Sequence, residues 1–94
     1  MNTLKGIFGR IIARPEIYVG GGDIIAIGHY LDGYYAAKGD DYAEDVKDYR
    51  EFEAFIRKRY NDLNHRWFRI IQYNSLSNKE ALQELKELIN EYCK

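Results

Sequence analysis

With 94 residues, 46% of them hydrophobic and 31% charged, the chain has room for one domain and is too apolar for intrinsic disorder. Its net charge of -1 lacks the basic excess that advertises nucleic-acid binding, and no apolar run approaches the roughly 18 residues of a membrane span. The single cysteine, Cys93, cannot form an internal disulfide, and no apolar leader with a cleavage site opens the sequence, so the expected location is cytoplasmic.

In chain order, Leu4, Ile7, Phe8, Ile11 and Ile12 recur at helical spacing, with Thr3 available as N-cap and Pro15 ending the helix at Arg14. Gly6 and Gly9 weaken this first helix by about 1 kcal/mol each relative to Ala, so it leans on tertiary packing. Arg14 to Gly22 reads as a loop closed by Gly20, Gly21 and Gly22. Asp23 then caps a second helix to Lys38, with Gly39 as its stop. Ile24, Ile27, Leu31, Tyr34 and Tyr35 form one face of it. Gly22, Ala26, Gly33 and Ala37 form a small-residue face, which places this helix at the centre of the bundle.

A polar turn over residues 40–45 leads into a third helix from Ala43 or Val46 to Tyr60, with Tyr49, Phe52, Phe55, Ile56 and Tyr60 as its stripe. Glu53 and Arg57 are oriented for an i,i+4 ion pair. Asn61 and Asp62 open a fourth element, read as a helix on Leu63, Trp67, Ile70 and Ile71. The last helix starts with a capping box at Ser77 and Glu80 and carries Ala81, Leu82, Leu85, Leu88, Ile89 and Tyr92 on its apolar face. The expected fold is therefore all-α, a compact single-domain bundle of about five short helices. Nine tyrosines supply much of the burial in so thin a core, and leave room for contact surface or a homodimer.

Two acidic features stand out as candidate partner-binding residues. Asp40, Asp41, Glu44, Asp45, Asp48, Glu51 and Glu53 crowd fourteen residues against Lys47 and Arg50. Glu80, Glu84, Glu87 and Glu91 form a stripe on the last helix, with like charges at i,i+4 that cost roughly 0.2–0.5 kcal/mol each. Solvated helix faces account for such runs; so does a decoy for a basic surface such as a nuclease cleft. A basic stretch of Arg57, Lys58, Arg59, His65, Arg66 and Arg69, with Tyr60, Trp67 and Phe68 interleaved, offers a nucleic-acid reading, against which those aromatics fall on apolar stripes. His29 and Asp32, at i,i+3, are too few for a metal site, and Gly20-Gly21-Gly22 before Asp23 matches no phosphate-binding motif. No catalytic motif, metal or cofactor is expected.

Arg14-Pro15-Glu16-Ile17-Tyr18-Val19-Gly20 resembles the R-P-x-x-Y-x-G signature of a group of small bacterial immunity proteins. Gly33-Tyr34 stands where that group ends a helix in Gly-Tyr. Phe52, Phe55, Ile56, Arg59 and Tyr60 match its F-x-x-F-[IV] segment and following Arg-Tyr. Trp67, Ile70 and Ile71 match its Trp and two aliphatics, and an acidic helix closes the chain. The likeness is a scatter of positions over most of the chain. Glu16 and Val19 stand where the group carries a small or flexible residue and a second aliphatic. The resemblance implies a partner of polymorphic-toxin or contact-dependent growth-inhibition systems, binding the C-terminal toxin domain of a large secreted protein. The signature residues are then structural, and binding falls to the acids: Asp40, Asp41, Glu44, Asp45, Asp48, Glu51, Glu80, Glu84 and Glu87. The alternative expectation is a helical adaptor, with nucleic acid bound through Arg57–Arg69.

Overall fold

The structure is a computed structural model that describes residues 3–14, 22–38 and 43–93. Among these residues it is all-α, with no strand: α1 (Thr3–Ala13), α2 (Ile24–Lys38), α3 (Ala43–Tyr60), α4 (Trp67–Tyr73) and α5 (Asn78–Tyr92). No helix among them is long and apolar enough to cross a membrane. The expectations placed on Pro15 to Gly20, Gly21, Gly39, Asp40, Asp41 and Lys94 lie outside the described residues, as do the side chains of Thr3 and Leu4.

The caps explain the helix boundaries. Asp23 Oδ1 accepts from the Ile25 and Ala26 amides at 2.7 and 3.3 Å. Asn78 completes the start of α2 from a distance: its Oδ1 accepts from the Ile24 amide at 2.9 Å, and its Nδ2 donates to the Gly22 carbonyl at 3.0 Å. Ser77 Oγ accepts from the Glu80 amide at 3.2 Å, while the Glu80 carboxylate takes the Leu76 amide at 3.1 Å, one residue before the cap expected of a strict box. Asn61 does not open the fourth element. It ends α3 in the left-handed conformation (φ 54°), with the Asp62 amide donating to the Arg57 carbonyl and the Asn61 amide to that of Lys58, at 2.9 and 3.3 Å. That is the Schellman arrangement, for which Asn is the usual substitute for Gly. Asp62 then accepts from the Asn64 and His65 amides at 2.9 and 3.2 Å, so helix resumes only at Trp67 and Leu63 is left in solvent.

One core joins all five helices: Phe8 and Ile11; Ile24, Ile27 and Leu31; Phe52 and Ile56; Trp67, Phe68, Ile70 and Ile71; and Leu85 and Leu88 are all essentially buried. The centre is α4 rather than α2. Four of its seven residues are buried, and the Trp67 ring meets Phe8, Phe52 and Phe68 with centroids 5.4–5.6 Å apart. The small-residue face assigned to α2 also needs correcting. Gly33 and Ala37 are exposed, and nothing surrounds the space a Gly33 side chain would fill. The close approach is at Gly28, where a Cβ would fall inside the Phe68 ring.

Glycine should therefore act in opposite directions on these helices. Gly28→Ala forces Phe68 off its seat and should cost about 1–3 kcal/mol. Gly9→Ala and Gly33→Ala, in open space, should each stabilise by about 0.4–1 kcal/mol. Urea unfolding midpoints would test this, and equal effects at Gly28 and Gly33 would contradict the packing described.

Candidate protein-binding surface

The two acidic runs come together along the α3–α5 seam. The helices run antiparallel: the Tyr92 hydroxyl donates to Asp48 Oδ1 at 2.9 Å, and the Tyr60 hydroxyl to Glu84 Oε1 at 2.7 Å. Arg59 pairs with Glu91 between these two contacts. Half-buried Phe55 packs on Tyr92, with centroids 5.4 Å apart. Burial, followed by the bond to a carboxylate, holds the Tyr60 and Tyr92 phenols above their ordinary range. The result is a strip of half-buried aromatics with carboxylates along both sides.

The nine acids picked out from the sequence divide by what they touch. Asp40 and Asp41 lie outside the described residues. Asp45 lies 3.7 Å from Lys38, Asp48 and Glu84 hold tyrosine hydroxyls, and Glu80 holds the Leu76 amide. Glu44, Glu51 and Glu87 are exposed. Among the described residues, Lys47 approaches Glu51 to 3.9 Å along its own helix, and Gln83 contacts Glu87 at 3.4 Å. These three are the acids most open to a partner.

A second polar cluster, missed from the sequence as a unit, joins α2, α3 and the start of α4. Arg66 grips Asp32 with two bonds, Nη1 to Oδ2 at 2.9 Å and Nη2 to Oδ1 at 2.7 Å. Its Nε donates to Glu53 Oε2 at 2.7 Å. That same oxygen accepts the Trp67 amide at 3.2 Å, so a carboxylate from α3 serves as the N-cap that Arg66 itself does not supply to α4. Tyr49 continues the chain of bonds, donating to Asp32 at 2.8 Å and accepting from Trp67 Nε1 at 2.9 Å. The bonds to Asp32 and Glu53 fix Arg66 in its charged form, and burial raises the Tyr49 phenol. A sequence signal did exist. Asp32 falls between buried Gly28 and Tyr35, and Glu53 between buried Tyr49 and Ile56, so both acids interrupt otherwise apolar stripes.

Four members of the basic stretch answer this chain's own acids, while Arg69 donates to Gln72 Oε1 at 3.3 Å and Lys58 is exposed. Arg57 approaches Glu53 at 3.8 Å, Arg59 pairs with Glu91, Arg66 takes Asp32 and Glu53, and His65 Nδ1 lies 2.9 Å from Asp62. Trp67 and Phe68 are buried and Tyr60 is half-buried against Glu84, so none of the three presents a free face for base stacking. His29 does not join Asp32 but rests on Phe68, with ring centroids 5.2 Å apart. No family model, curated protein or solved structure matches the chain.

Two outcomes follow from the bonds just described. Arg66→Ala should lower stability by about 2 kcal/mol, the worth of charge-assisted bonds at a half-exposed site. Arg66→Lys should recover less than half of that, because an ammonium cannot reproduce the two-pronged grip. The tyrosines give a pH dependence. Below about pH 10 native and unfolded chains both hold their phenol protons. Above it the unfolded chain ionises while Tyr35, Tyr49, Tyr60 and Tyr92 resist, all four being shifted upward chiefly by burial. Stability should thus fall as pH rises past about 10, with part of the phenolate absorbance appearing only as helical circular dichroism is lost. A non-cooperative titration of every tyrosine in the folded state would refute this.

Proposed function

We propose that this chain is an immunity protein that binds the C-terminal toxin domain of a large secreted bacterial protein and neutralises it in the producing cell. The observation that carries the reading is the α3–α5 seam, where acids from the middle and the C-terminal part of the sequence share one surface with Tyr60 and Tyr92. Exposed Glu44, Glu51 and Glu87 add charge that the fold does not consume. Such a surface suits a basic, phosphate-binding cleft, so the toxin class it fits best is a nuclease. Half-buried tyrosines beside charge are the composition that protein interfaces favour. The likeness of the signature residues to small immunity proteins supports the same reading. Asp48 and Glu84 act here by staying oriented, Glu44, Glu51 and Glu87 by drawing the partner in.

The test begins with the gene beside this one. Its product's C-terminal domain, expressed in a test bacterium, should arrest growth, and co-expression of this chain should relieve the arrest. A domain that kills equally in its presence would remove the pairing. With a neutralised toxin in hand, the triple variant Glu44→Lys, Glu51→Lys, Glu87→Lys should keep its helical spectrum. Association at low salt should slow by about tenfold or more. An unchanged rate would move the interface away from the seam.

A further inference from the structure

Helices α1 and α5 leave a groove of about 380 Å³ between them, lined by Gly9, Ile12 and Ala13 from the first and Lys86, Ile89 and Asn90 from the second. That volume falls in the range of small-molecule sites, which are mostly apolar with a few polar groups placed among them. The floor is apolar: Ile89 is 3% exposed, and Ile12 is half-buried against the core. The α1 wall carries little side chain, because Gly9 and Ala13 stand one turn apart. Among the described residues, no heavy atom lies within 4 Å of the point a Gly9 Cβ would occupy. Glycine inside a helix is destabilising relative to alanine. At Gly28 the fold explains it, since Phe68 needs the room; at Gly9 no described neighbour does. What glycine does there is leave the helix backbone open to a molecule entering the groove.

The polar groups of the groove are Lys86 and Asn90, one turn apart on α5. Lys86 is exposed, and none of the ion pairs among the described residues involves it. The glutamates of α5 are engaged elsewhere: Glu84 by Tyr60 and Glu91 by Arg59, both on α3, Glu80 by the Leu76 amide and Glu87 by Gln83. None of them lines the groove, so its one lining charge is positive. The chemistry that fits is an apolar chain ending in an anion, with an ammonium and an amide donor to receive that anion. Six lining residues are few for a protein occupant, since specific interfaces use roughly 20–30 residues a side. We propose that the α1–α5 groove binds a small aliphatic carboxylate, its chain lying on Ile12 and Ile89 and its carboxylate held by Lys86 and Asn90.

Titration of the full chain with octanoate, followed by amide chemical shifts in nuclear magnetic resonance, tests this without any protein partner. The Gly9, Ala13, Ile89 and Asn90 amides should shift saturably, with a dissociation constant of about 1 mM for so small a ligand. Gly9→Leu places a side chain in the groove where space is open, so it should keep the helical spectrum and weaken octanoate by about tenfold or more. Gly33→Leu, equally open but on α2, should bind as the wild type does. Lys86→Glu should weaken octanoate by about fivefold and leave octanol, which has the chain without the charge, unaffected. The inference is overturned by an absence of saturable shifts up to roughly 10 mM octanoate, by shifts that Gly9→Leu leaves intact, or by octanol binding as tightly as octanoate. A molecular mass that rises with protein concentration in the wild type but not in Gly9→Leu would give the groove to a second copy and overturn it too. None of these variants touches Glu44, Glu51 or Glu87, so this site and the toxin reading fail separately.

Discussion

The grip of Arg66 on Asp32 and Glu53 is the interaction on which the rest of the bundle depends. Helix α4 has seven residues, fewer than an isolated helix needs to persist in water. Its N-terminus is held by a carboxylate from α3 and by a guanidinium that reaches back to α2, and its other end by Asn74 and Ser75 side chains. Once fixed there, α4 supplies the surface on which the others pack: Trp67 against Phe8 of α1 and Phe52 of α3, and Phe68 in the notch at Gly28 of α2. The Arg66 side chain stays 42% exposed, so the cluster avoids the full desolvation that makes a deeply buried ion pair a poor source of stability. It fixes geometry more than it adds free energy.

Two kinds of acid follow from this arrangement. Asp32 and Glu53 face inward and hold helices together; Glu44, Glu51 and Glu87 face outward. Composition cannot separate them, because Glu53 belongs to the same acidic run as Glu44 and Glu51. The separation comes from helical phase. Glu53 is four residues from buried Tyr49 and three from buried Ile56, so it sits at the edge of the apolar stripe and meets the next helix.

The helices themselves were legible because their apolar residues repeat at helical spacing and their caps are strong: Asp23 for α2, and Ser77 with Glu80 for α5. The beginning of α4 was not, because Leu63 imitates the spacing while Asn61 and Asp62 spend six residues on a Schellman end and a capped turn. The centre of the bundle was misplaced for a related reason. Small residues announce a close approach only where a neighbour arrives, and at Gly33 and Ala37 none does. Gly28, which does receive one, is a single glycine among apolar residues and gives no pattern. For the candidate surface, the sequence held the acids of both runs but not their meeting. Tyr92 on Asp48 and Tyr60 on Glu84 are pairs separated by 44 and 24 residues, set by how α5 returns along α3.

The abundance of tyrosine gains a physical reason from these pairs. Phenylalanine would fill the same volume, but it could not hold a carboxylate in place. Tyr49 links Asp32 to Trp67, Tyr60 orients Glu84, and Tyr92 orients Asp48. Each ring is anchored in or against the core and each hydroxyl reaches the boundary, so a charged group on the surface inherits the rigidity of the interior. If, as proposed, the chain works by presenting charge to a partner, this matters more than the number of acids. A carboxylate already held by a half-buried ring packed against the core loses little rotamer freedom when a cation approaches it, whereas a free glutamate loses most of its own. The seam therefore combines carboxylates held by tyrosine hydroxyls, at Asp48 and Glu84, with exposed ones at Glu44, Glu51 and Glu87.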